Sequence, residues 1–245
     1  MNSSDMFKHK MERSDSSHAI LEANSRVRKA RKIHSILGQV KDLSEVELLD
    51  IGTGSGDKAH ELSKRVKSVT SVDLVDERKN KKGYRFQQVK DETLPFESEL
   101  FDVVVTNHVV EHTPNQGKHI AEVRRVLKPG GFIYLATPNK FWLNDPHYKL
   151  PLISWMPRSV SERYLYLVQK AEWDIYPVSH FGIKKLLPHD DVTNALPLLL
   201  KTSAHETLDT MGNITRFLRL LPKQTLELTR YFSPTLIYLV KKSEE

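Results

Sequence analysis

A glycine-rich loop between an apolar run and a helical pattern restricts the fold of this chain more than any other feature. The stretch LLDIGTGSG (48–56) overlaps the end of the apolar run Val46 to Ile51 and precedes a helical pattern from Lys58 to Val66. Glycines let a ligand approach the backbone closely, and the amino end of a helix favours an anionic group. The stretch therefore predicts a ligand-binding turn at the carboxyl end of a strand.

The spacing of the glycines indicates which kind of ligand this turn binds. Gly52, Gly54 and Gly56 follow the pattern G-x-G-x-G, whereas a dinucleotide-binding loop needs a glycine where Asp57 stands. An aspartate at that place would also repel a pyrophosphate. Loop amides suit a carboxylate and Asp50 suits an ammonium group, so a ligand with an amino acid end fits best.

The strands that follow supply further groups at the same edge of a sheet. VTSVDL contains a second buried strand that ends at Asp73, 17 residues after Gly56. A carboxylate at that place can accept hydrogen bonds from both hydroxyls of a ribose. LFDVVVTN and FIYLATPN also read as buried strands, and HIAEVRRVLKPGG as an amphipathic helix that Pro129-Gly130-Gly131 is expected to end. Strands alternating with helices predict an α/β fold with a parallel sheet and helices on both faces.

Together these stretches resemble the class I S-adenosylmethionine-dependent methyltransferases, within them the type 11-like small-molecule branch. The matching residues are LLDIGTGSG (48–56), SVDL (71–74), LPFESELFDVVVTNHVVEH (94–112) and RRVLKPGGFIYLATPN (124–139). The resemblance implies a Rossmann-like, seven-stranded, mostly parallel sheet whose last strand is antiparallel, and PTLIYLVKK fits that strand. It also implies S-adenosyl-L-methionine as cofactor and a small-molecule methyl acceptor, for which we predict a hydroxyl oxygen of a sugar, a lipid or isoprenoid, or a natural product.

Carried over to this chain, the resemblance implies one set of cofactor contacts. The loop would surround the methionine part, Asp73 would hold the ribose, and Leu74 would lie against the adenine. The family commonly has an aspartate where Lys90 stands, so Asp91 is expected to contact the adenine only if the loop is shifted by one residue. The complete predicted set is Asp50, Gly52, Thr53, Gly54, Gly56, Asp73, Leu74, Asp91 and Asn107.

The stretch TNHVVEHTPN (106–115) supplies the candidate bases. His108 and His112 follow the fourth strand, where either could take the proton of a hydroxyl acceptor, although His112 could instead fix the turn; His180 is a further candidate base. The letters H-x-x-E-H also match a zinc-protease motif. A buried strand before them and Pro114 after them leave no long helix that could present both histidines to a metal, so we expect no metal site.

Residues 140–205 are expected to form an irregular insertion after the fifth strand, packed over the substrate as a lid. All three tryptophans lie in this region, and seven of the twelve prolines lie between 138 and 197. Aromatic groups at the mouth of a site suit a ring, a sugar face or an isoprenoid chain. The candidate substrate contacts are Trp142, His147, Tyr148 and Trp155, for which ordinary lid packing is an equal alternative.

Nearly all of the net charge of +6 lies at the start of the chain, where residues 1–41 hold nine Lys/Arg and four Asp/Glu. We predict a disordered tail (1–15) followed by a single methyltransferase domain (16–245) that begins with a basic amphipathic helix (16–41). That helix could present a solvated face or meet an anionic partner such as a lipid surface, nucleic acid or a phosphorylated substrate. An RNA methyltransferase and a non-catalytic cofactor-binding protein remain alternatives, with nucleic acid disfavoured because the basic residues are confined to one helix.

The composition excludes several classes of chemistry. With no cysteine, the chain has no disulfide, no thiolate metal site and no cysteine nucleophile. No apolar run approaches the ~20 residues that a membrane span needs. The polar start lacks the apolar core of a signal peptide, so we expect a cytoplasmic protein. The oligomeric state stays open.

Overall fold

The computed structural model of the chain describes residues 24–201 and 218–244. The predicted tail (1–15), residues 16–23 of the predicted basic helix and residues 202–205 of the predicted insertion lie outside these ranges. Within the described part the strands are β1 (Glu47–Ile51), β2 (Ser68–Asp73), β3 (Arg85–Gln88), β4 (Phe101–Asn107), β5 (Leu127–Pro138), β6 (Asp191–Asn194) and β7 (Thr235–Lys241).

The helices pack around these strands. Helix α1 covers 24–37 in the described part. The others are α2 (Asp57–Ser63), α3 (Gln116–Val126), α4 (Arg158–Gln169), α5 (His180–Leu186), α6 (Leu196–Leu200), α7 (Lys223–Glu227) and α8 (Thr229–Phe232). Single 3-10 turns lie at Val110–His112 and Ile153–Trp155. Among the described helices, none combines the length and the apolar character needed to cross a bilayer.

The strands form one sheet in the order β3-β2-β1-β4-β5-β7-β6. β1 pairs in parallel with β2 and β4, whereas β7 is antiparallel to both β5 and β6. The prediction of a seven-stranded, mostly parallel sheet with an antiparallel last strand is confirmed. Because the strand order reverses between β1 and β4, the loops that follow these two strands diverge and leave a crevice at the carboxyl edge of the sheet.

Alternating side chains of the central strands build a core on each face of the sheet. Leu48 and Val103 contact the face that α1 and α2 cover, while their neighbours Leu49 and Val104 contact the face that α3 and α5 cover. Successive residues of a strand point to opposite faces, so a doubly covered sheet needs apolar residues at consecutive positions. The unbroken apolar runs in the sequence follow from this arrangement.

Helix α1 is fixed against α2 rather than extending away as an arm. Ala30, Ile33 and Leu37 are fully buried in the core under α1. The ring of His34 makes a 3.0 Å hydrogen bond through Nε2 to the carbonyl of Leu62 at the end of α2. This docking brings the amino end of α1 next to the glycine loop.

The insertion has a small core of its own and is anchored to the turn after β4. Its buried residues Leu150, Ile153, Leu165, Trp173 and Ile175 form a separate apolar cluster. Next to this cluster, the amide of Tyr176 donates to the carbonyl of Glu111 (2.6 Å), and the side chain of Gln116 donates to the carbonyl of Tyr176 (2.7 Å). The insertion is therefore fixed beside the turn that contains the predicted bases.

Candidate active site

The glycine loop after β1 turns sharply under β2. The amides of Gly52 and Thr53 both donate to the carbonyl of Val72, at 2.9 and 3.2 Å. Gly52 has φ +81° and lies against Val109, so a side chain there would meet both steric and conformational strain. Gly56, with φ +85°, packs against Asn80. Two of the predicted glycines therefore serve the shape of the turn directly.

Asp73 joins the end of β2 to this loop. Its Oδ2 accepts a hydrogen bond from the amide of Gly54, and its Oδ1 accepts one from the amide of Leu74, both at 2.8 Å. Each carboxylate oxygen has a further lone pair, so the group can still accept hydrogen bonds from a ligand. Leu74 is 56 % exposed at the mouth of the crevice, as an adenine-contacting residue would need to be.

Asp91 lies on the far side of the same crevice. Its carboxylate accepts hydrogen bonds from the amide of Thr93 (2.6 Å) and from Lys118 (3.3 Å). These bonds lower the pKa of Asp91 to about 2, the contacts with Thr93 contributing most. The group is ionised at neutral pH and remains exposed to a ligand.

The structure corrects the expectation for Asp50. Its side chain is fully buried, 2.7 Å from the ammonium group of Lys58, and Ser71 donates to its other oxygen at 3.2 Å. Burial raises the pKa of Asp50, an effect that Lys58 partly offsets. Lys58 also donates to the carbonyl of Gly52 (3.2 Å). Asp50 thus fixes the loop through Lys58 and does not face the crevice, because the strand turns its side chain inward.

Two clefts open at the carboxyl edge of the sheet, and they share a wall. The β2-side cleft, about 710 Å³, is lined by Gly52, Gly54, Asp73, Leu74 and Asp91, among others. The α1-side cleft, about 400 Å³, lies between α1, the end of β5 and residues 229–238. Asn107 and His108 line both clefts. Asn107 and His108 are therefore a place where a group in one cleft can approach a group in the other.

His108 has a strained backbone and a buried acidic partner. Its φ is +58°, a conformation uncommon for residues other than glycine and often found at functional sites. Its Nδ1 lies 3.2 Å from Oε1 of Glu111, whose Oε2 accepts a 2.9 Å hydrogen bond from Thr137. Burial alone would raise the pKa of Glu111, but the hydrogen bonds from His108 and Thr137 bring it below its ordinary value. An ionised Glu111 thus orients the imidazole of His108.

The H-x-x-E-H letters do not form the helix of a zinc protease. Only Val110–His112 is helical, as one 3-10 turn, so His108 and His112 do not share a helix face. His112 instead meets His147 of the insertion, with ring centroids 5.2 Å apart. Donor atoms of Glu111, His112 and His147 lie within 4.8 Å of one another, a spacing from which three side chains could reach one ion. The expectation that the site holds no metal stays a prediction.

Several predicted site residues lie away from both clefts. His180 is buried, and its Nδ1 makes a 2.7 Å hydrogen bond with the hydroxyl of Tyr238. The hydroxyl of Tyr148 donates to Asp174 (2.5 Å), and the indole of Trp155 donates to the carbonyl of Trp142 (3.2 Å). His180, Tyr148, Trp142 and Trp155 are not among the residues lining the two clefts, whereas Tyr238, the partner of His180, lines the α1-side cleft. In this structure their contacts are those of a packed insertion and core.

The cationic residues of α1 that line the site were not predicted as site residues from the sequence. Arg26 and Lys29 surround the backbone of Gly52 and Thr53 together with Lys58. Their basic character was visible in the sequence, but the pairing of α1 with the glycine loop was not. Thr53 itself is buried, with its hydroxyl 2.6 Å from that of Ser71. Only its backbone is available to a ligand.

His119, at the back of the β2-side cleft, predicts a pH dependence of stability. It is 5 % exposed, lies 3.2 Å from the hydroxyl of Thr106, and burial lowers its pKa to about 4. Below the ordinary pKa of about 6.5 the unfolded chain binds a proton that the folded chain does not, so stability is lost as the pH falls. We expect this group to contribute a loss of about 3 kcal/mol between pH 6.5 and 4, at about 1.4 kcal/mol per pH unit. Urea unfolding of His119→Gln should show a shallower pH slope in that window; equal slopes would refute the assignment.

Comparison with known proteins identifies a methyltransferase domain. The family described as "Methyltransferase domain" matches residues 49–135. A ubiquinone biosynthesis O-methyltransferase of Rickettsia typhi is 25 % identical over 187 residues, 70 % of this chain and 74 % of that protein. A demethylmenaquinone methyltransferase of Chlorobaculum parvum is 31 % identical over 159 residues, 59 % and 64 %. The crystal structure of an S-adenosylmethionine-dependent methyltransferase from Mesorhizobium loti shares the fold, with TM-score 0.55 and 13 % identity over 84 % of this chain and 95 % of that chain. The chain therefore contains a methyltransferase domain over residues 49–135 and is an S-adenosylmethionine-dependent methyltransferase, similar to the class I, type 11-like group.

Proposed function

We propose that the enzyme methylates a hydroxyl oxygen of a small molecule bound in the α1-side cleft. The observation that carries the proposal is the shared wall of the two clefts at Asn107 and His108. A cleft of about 400 Å³ falls in the size range of small-molecule sites. The name of the Rickettsia typhi relative, an O-methyltransferase of ubiquinone biosynthesis, supports oxygen as the accepting atom.

The cofactor fits the β2-side cleft on the groups that line it. Asp73 has free lone pairs for the two ribose hydroxyls, with Leu74 and Asp91 placed for the adenine. The methionine end would lie at the backbone of Gly52 and Gly54. Arg26 and Lys29 supply positive charge there for its carboxylate. With the cofactor bound in this way, its methyl group would point toward Asn107 and His108.

The protein's own residues would position the acceptor and remove its proton. S-adenosylmethionine supplies an electrophilic methyl group on a sulfonium. Holding the acceptor in line with that methyl can lower the barrier by up to about 7–11 kcal/mol. The imidazole of His108, oriented by the buried Glu111 carboxylate 3.2 Å away, is placed to take the hydroxyl proton.

A methyl-transfer screen tests the proposal. Sugars, quinols, lipids and phosphorylated metabolites would be incubated with methyl-labelled cofactor, each compared with an analogue in which every hydroxyl is already methylated. We expect label on at least one hydroxyl compound and none on its blocked analogue. Label on the blocked analogue would show attack at nitrogen or carbon and contradict oxygen methylation.

Replacing His108 with alanine is expected to reduce kcat about 10²–10⁴-fold, the usual contribution of a positioned histidine. His112→Ala should cause a smaller loss, since His112 contacts the insertion through His147. Both variants should bind S-adenosylhomocysteine as the wild type does, which calorimetry would check. Unchanged turnover in His108→Ala would show that His108 is not the catalytic base.

Two alternatives predict other outcomes. An RNA methyltransferase would bind RNA in a salt-sensitive way, but the arrangement does not favour it, because basic residues of α1 line the α1-side cleft. A non-catalytic cofactor-binding protein would bind S-adenosylmethionine and label nothing in the screen. The screen and a filter-binding assay therefore separate the three functions.

A further inference from the structure

One face of α1 is basic and lines the α1-side cleft. Ser25, Arg28, Lys29 and Lys32 all line it. Their spacing of three, four and seven residues places them on the same side of the helix. Arg31, at an intervening position, has a side chain that is 58 % exposed and pairs with Glu61 on α2. The basic side chains of α1, which were expected to meet an external partner, therefore lie partly in the α1-side cleft.

The opposite side of the cleft adds another cation and no described acid. Arg230, on α8, lines the cleft and lies 3.6 Å from Glu227. Among the described residues that line this cleft, four are Lys or Arg and none is Asp or Glu. An arginine already paired within the chain can still bind an anion, because its guanidinium carries five N–H donors.

One cation of this cleft, Lys29, is partly desolvated and lies near two cations beside the glycine loop. Burial lowers the pKa of Lys29, and the nearby charges of Lys58 and Arg26 lower it further. Bringing like charges together costs free energy, and the cost grows away from bulk water. A bound anion would relieve that repulsion, and an anionic acceptor can do so on the side that the cofactor carboxylate does not reach.

The rest of the lining is apolar and aromatic. Tyr134, Phe232 and Tyr238 line the cleft together with Leu196. Such side chains suit the flat body of a ring or a short apolar chain. The cleft therefore presents a base at one end, an apolar middle and positive charge along α1.

We propose that the methyl acceptor carries an acidic group, a carboxylate or a phosphate, which Arg28, Lys32 and Arg230 bind while its hydroxyl faces His108. This rests on the proposed function and narrows its substrate class. The cations set the orientation of the acceptor, because only one end of the molecule can lie against them. A neutral analogue of the same shape would lack the charge–charge attraction to these residues.

The test compares acids with neutral analogues in the enzyme saturated with S-adenosylhomocysteine. The probes are 3,4-dihydroxybenzoate against 3,4-dihydroxybenzamide, and phenyl phosphate against phenol, measured by titration calorimetry. We expect at least one acid to bind roughly tenfold or more tightly than its neutral partner, a difference of about 1.4 kcal/mol. Which acid binds more tightly distinguishes a carboxylate from a phosphate.

Variants test which residues bind the acidic group of the acceptor. The double variant Arg28→Gln/Lys32→Gln should lose most of the preference for the acid, while Arg31→Gln, the same change on the outer side of α1, should retain it. Neutral and acidic probes binding equally, neither acid binding at all, or a preference unchanged in the double variant would each overturn the proposal. Failure of S-adenosylhomocysteine itself to bind would instead refute the proposed function.

Discussion

Replacing Lys58 with methionine is expected to lower the free energy of unfolding by about 3–5 kcal/mol, the usual cost of removing one partner of a buried ion pair. The ammonium group lies 2.7 Å from a carboxylate of Asp50 that is fully buried. No other described donor reaches that oxygen of Asp50. Without Lys58 the chain must bury an unpaired carboxylate or protonate it, and the glycine loop loses the contact at Gly52. Urea unfolding at neutral pH would measure the change.

Two further variants separate the ion pair from general effects of the substitution. Asp50→Asn/Lys58→Met removes both charges and should recover much of the lost stability, since replacing a buried pair by neutral groups is often tolerated. Lys64→Met removes a surface lysine that is 52 % exposed and pairs with Glu61, and should change stability by no more than about 1 kcal/mol. A loss of stability in Lys58→Met no larger than in Lys64→Met would contradict this account of the pair.

Replacing Asp73 with alanine is expected to weaken binding of S-adenosylhomocysteine by about 10²–10⁴-fold. Two hydrogen bonds from ribose hydroxyls to a carboxylate are together worth about 3–6 kcal/mol, and each 1.4 kcal/mol is about tenfold in affinity. The variant also frees the amide of Gly54, which Asp73 holds at 2.8 Å. Equilibrium dialysis with labelled ligand would measure the dissociation constant.

The matched control for Asp73 is another acid just after the same strand. Asp76 is exposed, pairs with Arg78 and is not among the residues that line the β2-side cleft. Asp76→Ala should leave the affinity within about threefold of the wild type, because one exposed ion pair contributes little. Equal affinities in the two variants would show that Asp73 does not hold the ribose.

The central strands and the cofactor edge could be predicted because the sheet is covered on both faces. Consecutive buried residues such as Val103, Val104 and Val105 leave a signal that needs no alignment. The short edge strands β3 and β6 leave no such signal, since most of their side chains are exposed or half-buried. The predicted stop at Pro129-Gly130-Gly131 was late: α3 ends at Val126, and these residues already belong to β5.

The proposed acceptor cleft depends on contacts between distant parts of the chain. Asp50 was expected to lie near the ammonium group of the ligand. Side chains alternate between the two faces along β1, however, and that of Asp50 points inward to Lys58. Trp142, Tyr148 and Trp155 are residue types typical of the mouth of a ligand site. In the structure they make hydrogen bonds within the insertion. The cleft is lined instead by α1 and residues 229–238, about 200 positions apart in the sequence. Neither periodicity nor composition indicates that these segments meet.

The most direct test of the central claim is calorimetric titration of S-adenosylmethionine and S-adenosylhomocysteine into the wild-type chain and into Asp73→Ala. The structure predicts one molecule bound per chain in the wild type, at the edge where Gly54 and Asp73 meet. It also predicts a strong loss of affinity in the variant. Absence of binding of both ligands to the wild type, or equal affinity in the variant, would contradict the site described for this methyltransferase.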